Sequence, residues 1–357
     1  MRGGGRHGGL SVLRSVTILC LGLFGGSLPI ASAAPRLLSV EPLVLPGLPK
    51  AAEGLCAGPQ GRLFVLDRVN GEVLVFDKEG RKIGSFGKGR IVAPRSITAA
   101  GSEVAVVEGR GSLLFFNGRT LSYEKTTAGL TRYCPGLGAA LTPHRIVYGG
   151  MGYEGKRPER GETFDALVLF STDWEGRDLR VCARRKVSWE EENSFQVLAG
   201  SHFFPLPGGG LAVARVFPPK IWLLDSEGRV VRQSQGGNEP LPRAPSEGRL
   251  PPDQEWDAIY FGTPHVEGLF AAGDRFALIV REHTQMGHVL YLSWYDKDLR
   301  PYQREPLRLP VVLGSDDFVR GTVSWGSNEI LLLLVRRQER PWGIGSSRVF
   351  RLKFSHG

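Results

Sequence analysis

Two imidazoles, two guanidiniums and a carboxylate recur at comparable places along this chain. About seven residues before each of six successive hairpin turns stand Glu53, Arg95, Leu137, His202, His265 and Arg320, the last three in consecutive units. Such residues support two kinds of chemistry. Imidazoles brought together from different elements ligate zinc and related divalent ions. That makes His202 and His265 candidate metal ligands, with Asp316 and Asp317 near enough to Arg320 to assist. A third imidazole would have to be His144, in a Pro-His turn that points elsewhere. Guanidiniums, in contrast, fork two hydrogen bonds onto carboxylates, sulfates or sugar acids. Arg95 and Arg320, flanked by His202, His265 and Glu53, suit an anion of that class. Trp256, Tyr260 and Phe261 precede His265 and can form a wall on which a sugar ring stacks. The plainer alternatives are hydrogen-bonded channel lining for the charged residues and loop packing for the aromatics.

Other chemical patterns have simpler explanations. Gly150-Met-Gly-Tyr-Glu-Gly155 has the spacing of a dinucleotide loop, but no helix start follows it. His283 and His288 would face opposite ways on a continuous strand, and Met286-Gly287 suggests a hairpin between them. Asp225, Glu227, Asp296 and Asp298 resemble acid–base material, yet they sit in repeated turns where side-chain carboxylates cap the backbone. The chain carries no Ser nucleophile elbow and no convincing Cys-His pair.

For the first group to converge, the chain must deliver one residue from each of several equivalent elements. Its patterning does this. "GRLFVLDRVNGEVLVFDKEG" (61–80) contains two short apolar runs, an Asn70-Gly71 hairpin signal and a polar turn at Asp77-Lys78-Glu79-Gly80. The runs are apolar on both faces, as in strands covered from two sides. The plan returns at 101–125, 143–183, 208–234, 273–303 and 327–354, with Asp173-Trp174-Glu175-Gly176, Asp225-Ser226-Glu227-Gly228 and Asp296-Lys297-Asp298 at the outer turn. Six copies of several short strands imply an all-β chain folded as a six-bladed β-propeller of four-stranded antiparallel blades. The blades fall near 53–92, 93–130, 134–190, 195–240, 257–310 and 315–356. The last copy has only three strands, and the apolar segment 35–46 has no blade of its own. It is expected to close the ring as the outer strand of the last blade, removing an exposed edge.

The first copy, "GLCAGPQGRLFVLDRVNGEVLVFDKEGRKIGSFG", with its Gly-x-Leu-x-Val-x-Asp-like strand, Asn-Gly hairpin and Phe-Asp-x-x-Gly turn, resembles an NHL-type repeat. The fourth copy is also recognisable; the third, fifth and sixth have drifted. The resemblance implies the propeller fold strongly and an activity weakly. Some NHL-type propellers are lyases or hydrolases with metal ligands at the central channel. That makes a metal-dependent lyase or hydrolase using His202 and His265 the alternative to a non-catalytic binding module.

Residues 1–33 are a different material. Arg2, Arg6 and Arg14 precede an apolar stretch that ends in Ala31-Ser32-Ala33, the pattern of a cleaved secretory signal peptide. The stretch is broken by Gly22, Gly25, Gly26 and Pro29 and is too short for the roughly 20 residues of a membrane span. No transmembrane segment is expected after cleavage, and 34–357 reads as a single domain. Loss of three Arg lowers the formal charge from +9 to +6. The remaining charges are interleaved, as in Arg184-Arg185-Lys186 followed by Glu190-Glu191-Glu192, which argues against nucleic acid. Cys134 and Cys182 can pair in an oxidising compartment, and Cys56 reads as a small buried residue. The expectation is an exported, monomeric propeller, periplasmic or extracellular. It needs no cofactor, with a divalent metal as the open alternative. It binds an envelope protein, an anionic small molecule or a polysaccharide.

Overall fold

An apolar run without polar alternation has to be covered on both faces. Leu63 and Val65 pack into a cluster with Leu331, Leu333 and Val335, whereas Phe64 and Leu66 pack with Ile97, Val104 and Val106. One strand therefore serves two different neighbours. The computed structural model that shows this describes residues 35–109, 111–127, 138–152, 159, 161–191, 198, 200–237, 239, 259–260, 262–285, 287–338 and 343–355. The chain divides into two units, Met1–Ala33 and Ala34–Gly357. The expected leader lies outside the described residues, as do Cys134, Leu137, Trp256 and Phe261.

Strand β1 (Leu37–Leu43) comes first. Then β2 (Ala52–Ala57), β3 (Leu63–Asp67), β4 (Glu72–Phe76) and β5 (Lys82–Phe86) form one sheet. The next holds β6 (Pro94–Ala100), β7 (Glu103–Glu108), β8 (Leu113–Asn117) and β9 (Tyr123–Thr127). A third holds β10 (Gly138–Leu141), β11 (Ile146–Gly152), β12 (Thr163–Thr172) and β13 (Arg180–Ser188). The fourth holds β14 (Ser201–Pro205), β15 (Leu211–Arg215), β16 (Lys220–Leu224) and β17 (Val230–Gln233). The fifth holds β18 (His265–Ala272), β19 (Arg275–Thr284), β20 (Gly287–Tyr295) and β21 (Pro301–Leu307). The last holds β22 (Asp317–Gly326), β23 (Glu329–Gln338) and β24 (Gly343–Phe354), with β1 added to its outer edge.

The first strands touch in cyclic order: β2 meets β6, β6 meets β10, and so on to β22, which returns to β2. Six four-stranded antiparallel blades in a ring make a six-bladed propeller. Middle strands such as β3 are buried along their whole length, while outer strands such as β5, β9 and β17 are mostly exposed.

Closure occurs as the sequence implies. β1 pairs antiparallel with β24 from Leu37↔Phe354 to Leu43↔Val349. Arg36 N donates to Ser355 Oγ at 2.9 Å, and Ser355 N returns a bond to Arg36 O at 2.9 Å. The outer turns also follow the expected logic. Asp77 Oδ1 accepts from Glu79 N and Arg81 N at 3.0 and 2.9 Å, and Asp225 does the same for Glu227 and Arg229. The fourth residue of each turn is left-handed: Gly80, Gly176 and Gly228, and in blade 5 Leu299 at φ 60°. One expectation needs correction. The Asn70-Gly71 hairpin signal marks the turn but not the two-residue loop with positive φ at both residues that this dipeptide favours. Only Gly71 has positive φ, and the loop spans four residues, closed by Asp67 Oδ1 accepting from Val69 N and Asn70 N.

Candidate functional site

The innermost strands carry a shared irregularity. In four blades the register slips by one residue near the start of the strand: between Ala52 and Gly54, Pro94 and Ser96, Val266 and Gly268, and Val319 and Gly321. The extra residue is charged every time: Glu53, Arg95, Glu267 and Arg320. A bulge turns its residue out of the ladder and re-aims the side chain, which is why bulges gather near functional sites. Blade 4 has no such slip. There β14 pairs in unbroken register from Ser201↔Arg215, and His202 is an ordinary ladder position.

A cavity of about 170 Å³ occupies the channel between these strands. Arg95, His202, Tyr260 and Arg320 line it, beside the apolar surface of Leu55, Ile97, Phe203 and Val323. The structure thus brings together four of the residues singled out from sequence. Glu53 and His265 do not line the cavity. Glu53 is buried, 3.8 Å from Arg320 and 3.5 Å from Arg68. His265 is 1% exposed and doubly engaged: Nδ1 lies 2.8 Å from Thr263 O, and Nε2 lies 3.4 Å from Glu267 Oε1. Its ring centre lies 4.0 Å from that of Tyr260, the two rings tilted by 45°. Ile259, next to Tyr260, packs with Leu198 and Val216, so this part of the irregular segment is anchored to blade 4.

The polar groups differ in how far they are satisfied. His202 is half-buried, with Nε2 3.0 Å from Val266 O, and burial pushes its pKa down to about 4. It is neutral near pH 7. Arg320 has Glu53 at 3.8 Å and the Phe318 ring at 5.3 Å. Arg95 is exposed and has no ion pair or hydrogen bond among the described residues. Glu108, at the end of the strand paired with β6, spends its carboxylate on Val92 N at 2.8 Å.

Sequence reasoning missed the most heavily bonded member of the group. Glu267 accepts from Arg281 Nε at 2.5 Å, Arg281 Nη2 at 3.0 Å and Val319 N at 3.2 Å. Burial alone would raise this carboxyl. The His265 hydrogen bond and the Arg281 guanidinium outweigh it and hold the pKa at about 2. Arg281 also donates to Gly314 O and Asp317 O, and Asp317 takes a two-pronged bond from Arg336 at 2.9 and 2.7 Å. Asp317, a possible helper for a metal, is therefore engaged with Arg336. A signal for Glu267 is visible in retrospect: "AEGLCA" (52–57), "VEGLFA" (266–271) and "VRGTVS" (319–324) each place a charge before Gly at the bulge. At Gly268 a Cβ would lie 3.0 Å from Ile279, so close packing favours a residue without a side chain after the bulge.

Among the described residues, no group of three or more His, Cys, Asp and Glu gathers as a metal site. Cys56 is buried, as expected, and burial pushes its thiol up. Cys182 is free among the described residues; its pairing with Cys134 lies outside them. No helix among the described residues is long and apolar enough to cross a membrane.

No protein-family model matches the chain, and no curated protein matches it. Solved structures do resemble it. A member of the duf4221 family from Bacteroides vulgatus is 9% identical, with 90% of this chain and 97% of that one covered at a TM-score of 0.58. A candidate exported protein from Bacteroides fragilis is 11% identical, with 91% and 96% covered at 0.55. At such identities the likeness is one of fold.

Proposed function

We propose that this chain is an exported, non-catalytic propeller that holds a carboxylate- or sulfate-bearing ligand at the mouth of its central channel. The observation that carries this reading is Arg95. It is a bulge guanidinium turned to the cavity, without a counter-charge among the described residues, and Arg320 lines the same space with a long ion contact to Glu53 and the Phe318 ring beside it. An anion there gains two guanidinium partners without breaking a buried ion pair. Neutral His202 adds a polar edge without competing charge. The ligand is a free acid, an acidic group of an envelope polysaccharide or a side chain of an envelope protein; all present the same chemistry.

Two features support the envelope. The N-terminal 33 residues have the pattern of a signal peptide, and a structural neighbour of the same fold is a candidate exported protein. The NHL-type kinship rests on the motifs of blades 1 and 4. A metal-dependent lyase or hydrolase at this mouth would have to release His202 Nε2 from Val266 O and His265 from both of its partners.

Calorimetric titration of the mature chain with sulfate, acetate and D-glucuronate tests the proposal. Binding of at least one, weakened tenfold or more by Arg95→Ala, is expected. Failure to bind any of the three, or binding indifferent to Arg95→Ala, overturns it.

A further inference from the structure

His283 and His288 lie five residues apart, a separation that puts side chains on opposite faces of a continuous strand. The hairpin reverses that. Thr284↔Gly287 is the last pair before the turn, and His283↔His288 is the next. In a hairpin with a two-residue loop, the pair flanking the loop exchanges hydrogen bonds and the following pair is the non-hydrogen-bonded kind, where side chains approach most closely. Thr284 Oγ1 donates to Gly287 O at 2.9 Å and braces the turn. The two imidazole centres are 4.8 Å apart, with the rings inclined by 56°.

That separation fits two rings sharing one metal ion. A zinc-like ion sits about 2.0–2.1 Å from an imidazole nitrogen, hence roughly 3.2 Å from the ring centre. Two such ligands at an angle of about 90–110° place their ring centres about 4.5–5.2 Å apart. The observed 4.8 Å lies inside this range. His283 is exposed and His288 half-buried, with Nδ1 of His288 enclosed.

We propose that the β19–β20 hairpin tip is a bis-histidine site for a divalent transition-metal ion of the zinc, nickel and copper class. Two protein nitrogens leave positions for water or for an oxygen of an incoming ligand. The site is separate from the channel residues His202 and His265 and does not depend on the anion reading.

Equilibrium dialysis of the untagged mature chain against Zn²⁺, Ni²⁺ and Cu²⁺ in turn is the test. One equivalent of metal is expected, Cu²⁺ held most tightly. His283→Ala and His288→Gln should each weaken uptake tenfold or more, and the exposed control His144→Ala should leave it unchanged. Wild-type protein that takes up none of the three ions overturns the site, and so does uptake that persists in His283→Ala. Should His288→Gln fold poorly, the exposed His283 decides the matter alone.

Discussion

Two flanks of the channel mouth use the same backbone device to opposite ends. In blade 5 the bulge residue Glu267 is fully buried and bonded to Arg281, His265 and Val319 N, and Arg281 is tied onward to Asp317 and Gly314. In blade 2 the bulge residue Arg95 faces the cavity with no partner among the described residues. The strand, the slip and the presence of a charge are the same; the surroundings differ. Blade 5 adds a guanidinium on its second strand, and that turns the bulge into a rivet across the seam between blades 5 and 6. Blade 2 offers Glu108 at the corresponding edge, but the backbone of Val92 already holds it. A charge at an equivalent place in a repeat therefore does not identify a site; the absence of a partner does.

The strongest way to break this comparison is to remove the rivet. Glu267→Ala strands the Arg281 guanidinium, 1% exposed, without its counter-charge. Breaking one half of a buried ion pair typically costs about 3–5 kcal/mol. Urea unfolding should show a loss of that order, and an unchanged midpoint would mean that the seam does not depend on the pair.

Acid separates the blade 5 rivet from the blade 4 imidazole His202 by pH window. Glu267 has its folded pKa near 2, below the ordinary 4.5. Its stabilisation is complete above 4.5 and is lost as pH falls from there through about 2, a contribution on the order of 3 kcal/mol. His202 sits near 4 against an ordinary 6.5. The unfolded chain takes up that proton first, so stability declines as pH falls from 6.5 to 4 and is flat above, by about 2 kcal/mol for this half-buried ring. A stability profile against pH should show both declines, and His202→Gln should flatten the upper one alone. A His202→Gln profile with the upper slope intact would assign that decline to other groups.

How much of this was legible beforehand follows from what sets each feature. The blades, the Asp-capped outer turns and the closing strand are local patterns: apolar runs, turn residues and an orphan strand at 35–46. Arg95, His202 and Arg320 were found by counting back about seven residues from turns. In blade 5 the same count ran two residues past the bulge at Glu267, to His265. Counting presumes a steady ladder, and a bulge is settled by packing against the next blade, which no single repeat records. The His283–His288 approach was hidden for a related reason: strand alternation and hairpin pairing give opposite answers, and only the position of the turn chooses between them.

The smallest expected effect sharpens the comparison most. Arg95→Ala removes an exposed guanidinium that bonds to nothing among the described residues. Surface changes of this kind shift stability by no more than about 0.5 kcal/mol. If Arg95 is retained for a ligand, the variant should unfold like wild type in urea while losing the anion that wild type holds. A loss above about 1 kcal/mol would mean that Arg95 has structural work of its own, as Arg281 does, and the two flanks would then differ in degree only.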